Sequence, residues 1–389
     1  MNYKSIQTKV LIALVICLVL GTGCVVGLMH YFTVENSRGL ATEAATGSQK
    51  LFTILEDREI SKMTAVGDAL IANAQIRDAF AAKDRDRLLA LTAPLYPQLK
   101  SEGITNWMFH TPETDMTVFL RLHNPAKFGD HLNRLMDREV ARTHGIVTAN
   151  ELARAGFALR VIRPVYDSKG AVTGYVELGE ELAQFMRTMK AQTGNDYGLL
   201  LNKKFVDKQF WTDSSATLKR RNNWDDHAGF VVEGSTTGNE RIIDFQGDLA
   251  TIPKQGTVLE QYQEGNSHFV RGIFPIRDAA GNTVGAMFVV RDISDVYSSM
   301  KKTQNVLLVL TFVSLSGGIL ILLFLLNRFI FKRLERILTA ATRLVGGDFE
   351  TPIKTDSDDE VGKLEQLFEQ FRNIFVSVLA EISSAQEKK

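Results

Sequence analysis

RPVYDSKGAVTGYVELG, residues 163–179, and FPIRDAAGNTVGAMFVV, residues 274–290, follow one pattern. Pro164, Asp167, Gly170 and Gly174 of the first correspond to Pro275, Asp278, Gly281 and Gly285 of the second, each pair 111 positions apart. Each copy reads as strand, turn, strand. Asp caps the bend, and the Gly three residues later supplies the positive φ that a tight turn requires. The later Gly, inside the returning strand, lets a neighbouring backbone approach closely. The match extends upstream, where Arg160 of FALRVIRP falls on Arg271 of FVRGIFP. A duplicated sheet lobe accounts for a repeat of this extent.

The text on either side fits two such lobes. ITNWMFHTPETDMTVFLRLHNP holds two apolar runs around Thr111–Asp115, a hairpin signal. From Glu35 to about Ala82 there is no Pro, and Leu51, Leu55, Met63, Val66 and Leu70 form a loose stripe at helical spacing. DRDRLLALTAPLYPQLKSEGI reads as a short helix, a Pro break and a further turn. DREVARTHGIVTANELARAG is polar and mixed. DYGLLLNKKFVD opens the second lobe as a strand and turn. The expected architecture is α+β, with a first lobe over about 84–190 and a second over about 191–296, both hung on one long helix.

Composition narrows the class. Among 389 residues, 45 Lys and Arg balance 45 Asp and Glu, so no global field points to nucleic acid. Two uncharged apolar runs stand out, Val10–Phe32 and Val306–Leu326. Each is long enough to cross roughly 30 Å of hydrocarbon. The first exceeds the usual signal-peptide core of about 7–15 residues. Both are read as membrane spans, at 10–32 and 305–327. Lys4 and Lys9 precede the first span, and Arg328, Lys332, Arg333 and Arg336 follow the second, outweighing Lys301 and Lys302. The Lys/Arg bias puts both termini in the cytoplasm and residues 33–304 outside a bacterial inner membrane, in the periplasm. Cys17 and Cys24 both lie in the first run, so the outer region uses no disulfide.

Past the second span, Leu334, Ile337, Ala341 and Leu344, then Val361, Leu364, Phe368, Phe371, Phe375 and Val378, alternate steps of three and four. One such seam cannot bury itself alone. Between them GGDFETPIKTDSD carries a Gly pair and two isolated apolar plugs, Phe349 and Ile353. Asp358, Asp359 and Glu360 open the second helix, where acid suits the dipole.

Two resemblances follow. Residues 36–300 resemble the double Cache family of extracytoplasmic, PAS-like sensor domains, through FLRLHNPAKFGDHL and the Gly-Phe-x-x-Arg of GFALR. That resemblance implies a small-molecule sensor of the kind borne by chemotaxis receptors and sensor kinases. The Tyr/Arg/Trp/Asp pattern of the amino-acid-binding group is missing, so that ligand class is not implied. Residues 328–385 resemble a HAMP domain, through Gly-Asp-Phe, Asp-Glu-Val-Gly and the heptads. This implies a parallel four-helix bundle in a homodimer that passes a span movement to an effector. The Pro usual after the span is missing from FKRLERIL, so the first HAMP helix is expected to run on from the membrane. Only a short tail, 386–389, follows, and none of the seven histidines is cytoplasmic. The expected effector is a cytoplasmic signalling partner, or a module outside this sequence.

No Walker loop, nucleophile elbow or Cys/His signature appears, so the reading is of a receptor rather than an enzyme, with no cofactor implied. His123 and His131 flank Asp130 without a zinc spacing, and no metal is implied. The paired Glu180 and Glu181 read as a solvated helix start. The sharper candidate is a ligand pocket in the first lobe. By period two, Phe119, Arg121 and His123 share a strand face, and Trp107 and Phe109 share another. Lys127, Arg160 and Tyr175 complete the candidate set. A buried Arg needs a partner, either the carboxylate of a ligand or a protein acid such as Glu177. The expected ligand is a small organic anion; the alternative is a regulatory or scaffold subunit whose outer domain binds a protein.

Overall fold

The computed structural model describes residues 6–113, 116–153, 156–217, 219–355 and 357–386. Lys4, the Thr114–Asp115 part of the hairpin bend and residues 387–389 lie outside the described residues. The chain divides into two compact units, Val34–Ser298, and Met1–Thr33 with Ser299–Lys389.

Helix α1 runs Ile6–Ala72, since nothing in that stretch breaks a helix. It stops earlier than the sequence suggests. Asn73 turns extended and its side chain accepts the N–H groups of Gln75 and Ile76, starting α2, Ala74–Ala81. Asp84 caps α3, Arg85–Thr92, and Pro97 sits in the first turn of α4, Tyr96–Ser101. The first lobe is an antiparallel sheet of β1 (Asn106–His110), β2 (Val118–Arg121), β3 (Val147–Ala153), β4 (Gly156–Tyr166) and β5 (Val172–Glu181), in the order β2-β1-β5-β4-β3. Helix α5, Leu135–Thr143, lies between β2 and β3 in the polar, mixed stretch. Helix α6, Leu182–Thr193, leads to the second lobe.

That lobe repeats the plan with β6 (Asp196–Asn202), α7 (Lys208–Thr217), β7 (Phe230–Ser235), β8 (Thr257–Glu264), β9 (Ser267–Arg277) and β10 (Thr283–Asp292). Its order, β7-β6-β10-β9-β8, is the first lobe's order renumbered. The bounds of β9 lie 111 positions beyond those of β4. Gly170 and Gly281 adopt φ of 83° and 81°. Asp167 Oδ1 accepts the N–H groups of Lys169 and Ala171, and Asp278 Oδ1 those of Ala280 and Asn282. A Cβ on Gly174 would stand 2.3 Å from the His110 carbonyl oxygen, and one on Gly285 2.6 Å from that of Leu200. The close approach expected of both glycines is therefore present.

One apolar core underlies both sheets. Phe52 of α1 meets Phe185 of α6 at 5.6 Å and Phe274 of β9 at 5.7 Å between ring centroids. Met63, Phe80, Trp107 and Phe109 extend it beneath the first sheet.

In the other unit, α8 (Ser294–Leu326) passes through one wide π-helical turn at Asn327–Phe331 into α9 (Lys332–Val345), so the helix after the span does run on without a break. The α1 and α8 helices are long and apolar enough to cross a membrane. Helix α10, Glu360–Gln386, packs beside α9. The Arg333 guanidinium joins them, donating to Asp359 at 2.7 Å and Glu365 at 2.9 Å. Phe349 stacks on Phe375 at 5.7 Å. Phe371 and Phe375 stay 58% and 51% exposed, leaving the second half of the heptad seam uncovered within one chain.

Candidate functional site

The pleat of the first sheet sorts the candidate residues. Trp107 and Phe109 point to the face that α1 and α2 cover, beside Met63, Phe80 and Leu120, and are wholly buried there. They are core residues, because a large apolar side chain on that face has no solvent route. Tyr175 lies on the other face but is equally buried, packed with Met116, Met136, Val140 and Ile162 beneath α5. Its hydroxyl bonds His144 Nδ1 at 3.0 Å. None of the three lines the cavity described next. The expected Phe119–Arg121–His123 face is also broken. The β1–β2 register shifts between Phe109 and His110, and Phe119 packs on Phe80 at 5.6 Å. A bulge reverses the alternation that period two assumes.

The remaining four candidates come together. Arg121, His123, Lys127 and Arg160 line one cavity of about 580 Å³ on the sheet face opposite α1. Asn106, Met108, Asn124, Asp130, His131, Leu132, Asn133, Arg134 and Leu152 complete the wall. Four of its side chains are permanent cations and one is an acid, which favours an anion.

Behind the wall the cations are held by acids. Arg121 grips Asp130 with both guanidinium nitrogens at 2.5 and 2.7 Å, and that pair draws the Asp130 carboxyl down to about 2. Arg160 donates to Glu177 at 2.6 Å. Arg134, at the foot of α5, donates to Asp137 at 2.7 Å and also to Glu177. His110 Nε2 lies 2.9 Å from Glu177. Burial alone would raise the Glu177 carboxyl; Arg134, Arg160 and His110 outweigh it and hold it well below the usual range. Glu151 is in the opposite situation. Its Oε2 lies 3.1 Å from Arg134 and 3.7 Å from Arg160 but makes no hydrogen bond. Burial pushes its carboxyl up to about 7, with the two arginines offsetting only part of the effect. Burial and the neighbouring Arg121 and Arg160 lower the pKa of His123.

The buried partner of Arg160 is thus the protein acid, Glu177, and the fork of Arg121 is taken by Asp130. Sequence pattern does not single out Arg134, Glu151 or His110. Arg134 and Asp137 carry a faint signal, an i,i+3 pair at a helix start, inside a stretch too mixed to place. Glu180 also departs from its reading. It is 4% exposed under α1, bonded to Lys62, and burial raises its carboxyl to about 7.

The same face of the second lobe has no such cluster among its described residues. Phe288 stands where Glu177 does, one repeat on, and Arg271 where Arg160 does. Tyr262 pairs with Phe269 as Glu151 pairs with Ala158. Leu200, Ile243, Ile273 and Phe288 pack into an apolar cluster. A Cβ on Gly198 would stand 2.6 Å from Ile243 Cδ1, so Ile243 fills the face. Arg271 donates instead to the backbone carbonyl of Glu260 at 3.1 Å.

A family model described as the double sensory domain of two-component sensor kinases matches residues 43–229, and a HAMP domain model matches residues 325–373. The chain carries a double Cache sensor domain and a HAMP domain. As a double Cache and HAMP protein it is a transmembrane signal receptor by domain content. Over 115 residues it is 34% identical to the heme sensor protein HssS of Staphylococcus aureus strain Newman, a match covering 27% of this chain and 24% of that protein. The match thus spans about a quarter of the length of the curated relative. The periplasmic domain of Vibrio cholerae LuxQ is similar at 13% identity and a TM-score of 0.39, covering 64% of this chain and 99% of that one. The ligand-binding domain of Campylobacter jejuni chemoreceptor Tlp3, solved with 4-methylisoleucine, is similar at 12% identity and a TM-score of 0.38, covering 68% and 93%.

Proposed function

We propose that this double Cache receptor senses a small organic anion in the first-lobe cavity and passes the change through its spans to the HAMP helices. The observation that carries the reading is the contrast between the lobes. One sheet face holds a 580 Å³ cavity ringed by Arg121, Lys127, Arg134 and Arg160; its repeat holds an apolar packing. A ligand moves the receptor only through a difference in affinity between two states. The arginine–acid cluster supplies one, since a bound anion competes with Asp130, Glu151 and Glu177 for the same guanidinium groups.

Both termini are in the cytoplasm and the sensor domain in the periplasm, as the Lys/Arg bias favours. The half-covered seam at Phe371 and Phe375 favours a homodimer, with output to a cytoplasmic partner. The test is calorimetry of the full chain in detergent against acetate, succinate, citrate and sulfate. Binding of at least one is expected, weakened by roughly tenfold or more in Lys127→Ala with the melting temperature unchanged, because an anion loses a charged partner. Failure of all four probes would retire the reading.

A further inference from the structure

We infer that the first-lobe cavity takes its anion together with one proton, which goes to Glu151. The inference rests on the anion reading above and deepens it by naming a second ligand.

Two acids share Arg134 and Arg160, and they are held very differently. Glu177 is locked, with hydrogen bonds from Arg134, Arg160 and His110. Glu151 is 8% exposed, and its Oε2 has no hydrogen bond. The facing atom of Arg160, Nε, also lacks a partner although Arg160 is 3% exposed and lines the cavity. The Arg160 guanidinium therefore presents capacity to the cavity that Glu151 uses poorly, while Arg134 is engaged by Asp137 and Glu177. An incoming carboxylate or sulfate that meets them brings a fourth anionic group, beside Glu177, Glu151 and Asp137, to two cations. Like charges in so dry a place cannot all stay ionised. The one with the weakest hold gives way, and that is Glu151. Its carboxylate accepts a proton from solvent, and the anion takes over its share of Arg134 and Arg160.

The charged groups acting on Glu151 are Arg134 and Asp137 at the start of α5, Arg160 on β4 and Glu177 on β5; Asp278, from the β9–β10 turn, lines a cavity with it. Asp278 matters for the consequence. Glu151, Arg134 and Asp278 line a second cavity, of about 270 Å³, between the first lobe and that turn of the second. Neutralising Glu151 removes an acid from the side facing Asp278. The repeat's own turn is thereby placed to feel occupancy of the first lobe.

Burial pushes the Glu151 carboxyl up to about 7, so the sign is fixed. Below that pH the proton is already present, and affinity gains nothing more from Glu151. Above it, binding must take the proton up, and the Kd rises by up to tenfold per pH unit, as one linked proton requires. His123 also lines the cavity, but burial and the neighbouring Arg121 and Arg160 lower its pKa, so its contribution lies on the acid side.

The experiment uses the full chain in detergent with succinate and sulfate as probes, titrated calorimetrically from pH 6 to 9 in two buffers of different ionisation enthalpy. The expected result is a rising Kd above pH 7 and uptake of up to one proton per bound probe at pH 8. Glu151→Gln, which keeps the shape of the neutral acid, is expected to bind at pH 8 as the wild type binds at pH 6.5, with neither slope nor uptake above pH 7. Asp167→Asn, in the β4–β5 turn away from the cluster, serves as the folded control and is expected to keep the slope. Probe binding with no proton uptake, or a slope that persists in Glu151→Gln, overturns the inference and leaves the anion site standing. No probe binding to wild type or to Glu151→Gln overturns both.

Discussion

The two lobes share strand order, turn geometry and an Arg at the same place, yet that Arg does different things in each. In the first, Arg160 is 3% exposed and answers a wholly buried acid, Glu177. In the second, Arg271 reaches backbone carbonyls and lies over the Tyr262 ring at 5.2 Å. The difference traces to one partner position, Glu177 against Phe288. With the acid, the sheet face must stay polar, keep several charges in register and leave room beside them. With the phenylalanine, it closes over Leu200, Ile243 and Ile273 and becomes dry. A duplicated fold thus yields one lobe with a charged, open sheet face and one with a dry, filled face.

The largest expected effect tests that contrast directly. Removing one member of a buried ion pair strands the other, at a cost of about 3–5 kcal/mol. Arg160→Ala should lower the melting temperature of the full chain far more than Arg271→Ala, whose loss of carbonyl contacts is worth about 1–2 kcal/mol. Equal losses would break the comparison. Next come the strand glycines, where the lobes should agree. Gly174→Ala and Gly285→Ala each drive a methyl into a carbonyl oxygen, at 2.3 and 2.6 Å, so both should destabilise strongly. A tolerated change in either lobe would mean that its central strands are less closely apposed than their repeat.

A third prediction concerns pH. Glu233 of the second lobe accepts the N–H of Phe157 from the first at 3.0 Å, and burial raises its carboxyl to about 7. The folded state holds that proton over a range where the unfolded chain has lost it. Stability from this group therefore falls as pH rises from about 4.5 to about 7, then levels off. Each pH unit within that window costs about 1.4 kcal/mol, so the whole fall is on the order of 3 kcal/mol. Glu233→Gln should remove this group's share of the slope, leaving that of Glu151 and Glu180, and be the more stable chain at pH 8; an unchanged pH profile of the melting temperature would show that Glu233 stays ionised. The smallest effects belong to the turns. Asp167→Ala and Asp278→Ala each lose two exposed backbone caps and should cost little, Asp278 slightly more because it also accepts the Asn282 side-chain amide at 3.0 Å. A clearly larger loss at Asp278 would mark its added place beside the cavity between the lobes.

Much of this protein was fixed by local pattern. The turn residues Asp167, Gly170, Asp278 and Gly281 demanded their conformations through backbone sterics alone, which act within a few residues. The apolar runs and heptads likewise speak through period and length, so the spans and the HAMP helices were legible before any packing was known. Even the missing proline predicted the continuous helix into α9. The site was not legible in the same way. Which face Phe119 takes depends on a bulge set by pairing with β1, and whether Trp107 is core or pocket wall depends on which sheet face α1 covers. Arg160 announced a need for a partner, but its choice among Glu177, Glu151 and a ligand is decided by strands and a loop that meet only in the folded lobe. Coulomb and desolvation energies act through space rather than along the chain, and so the charge cluster became readable only once tertiary structure had brought Arg134, Glu151, Arg160 and Glu177 together.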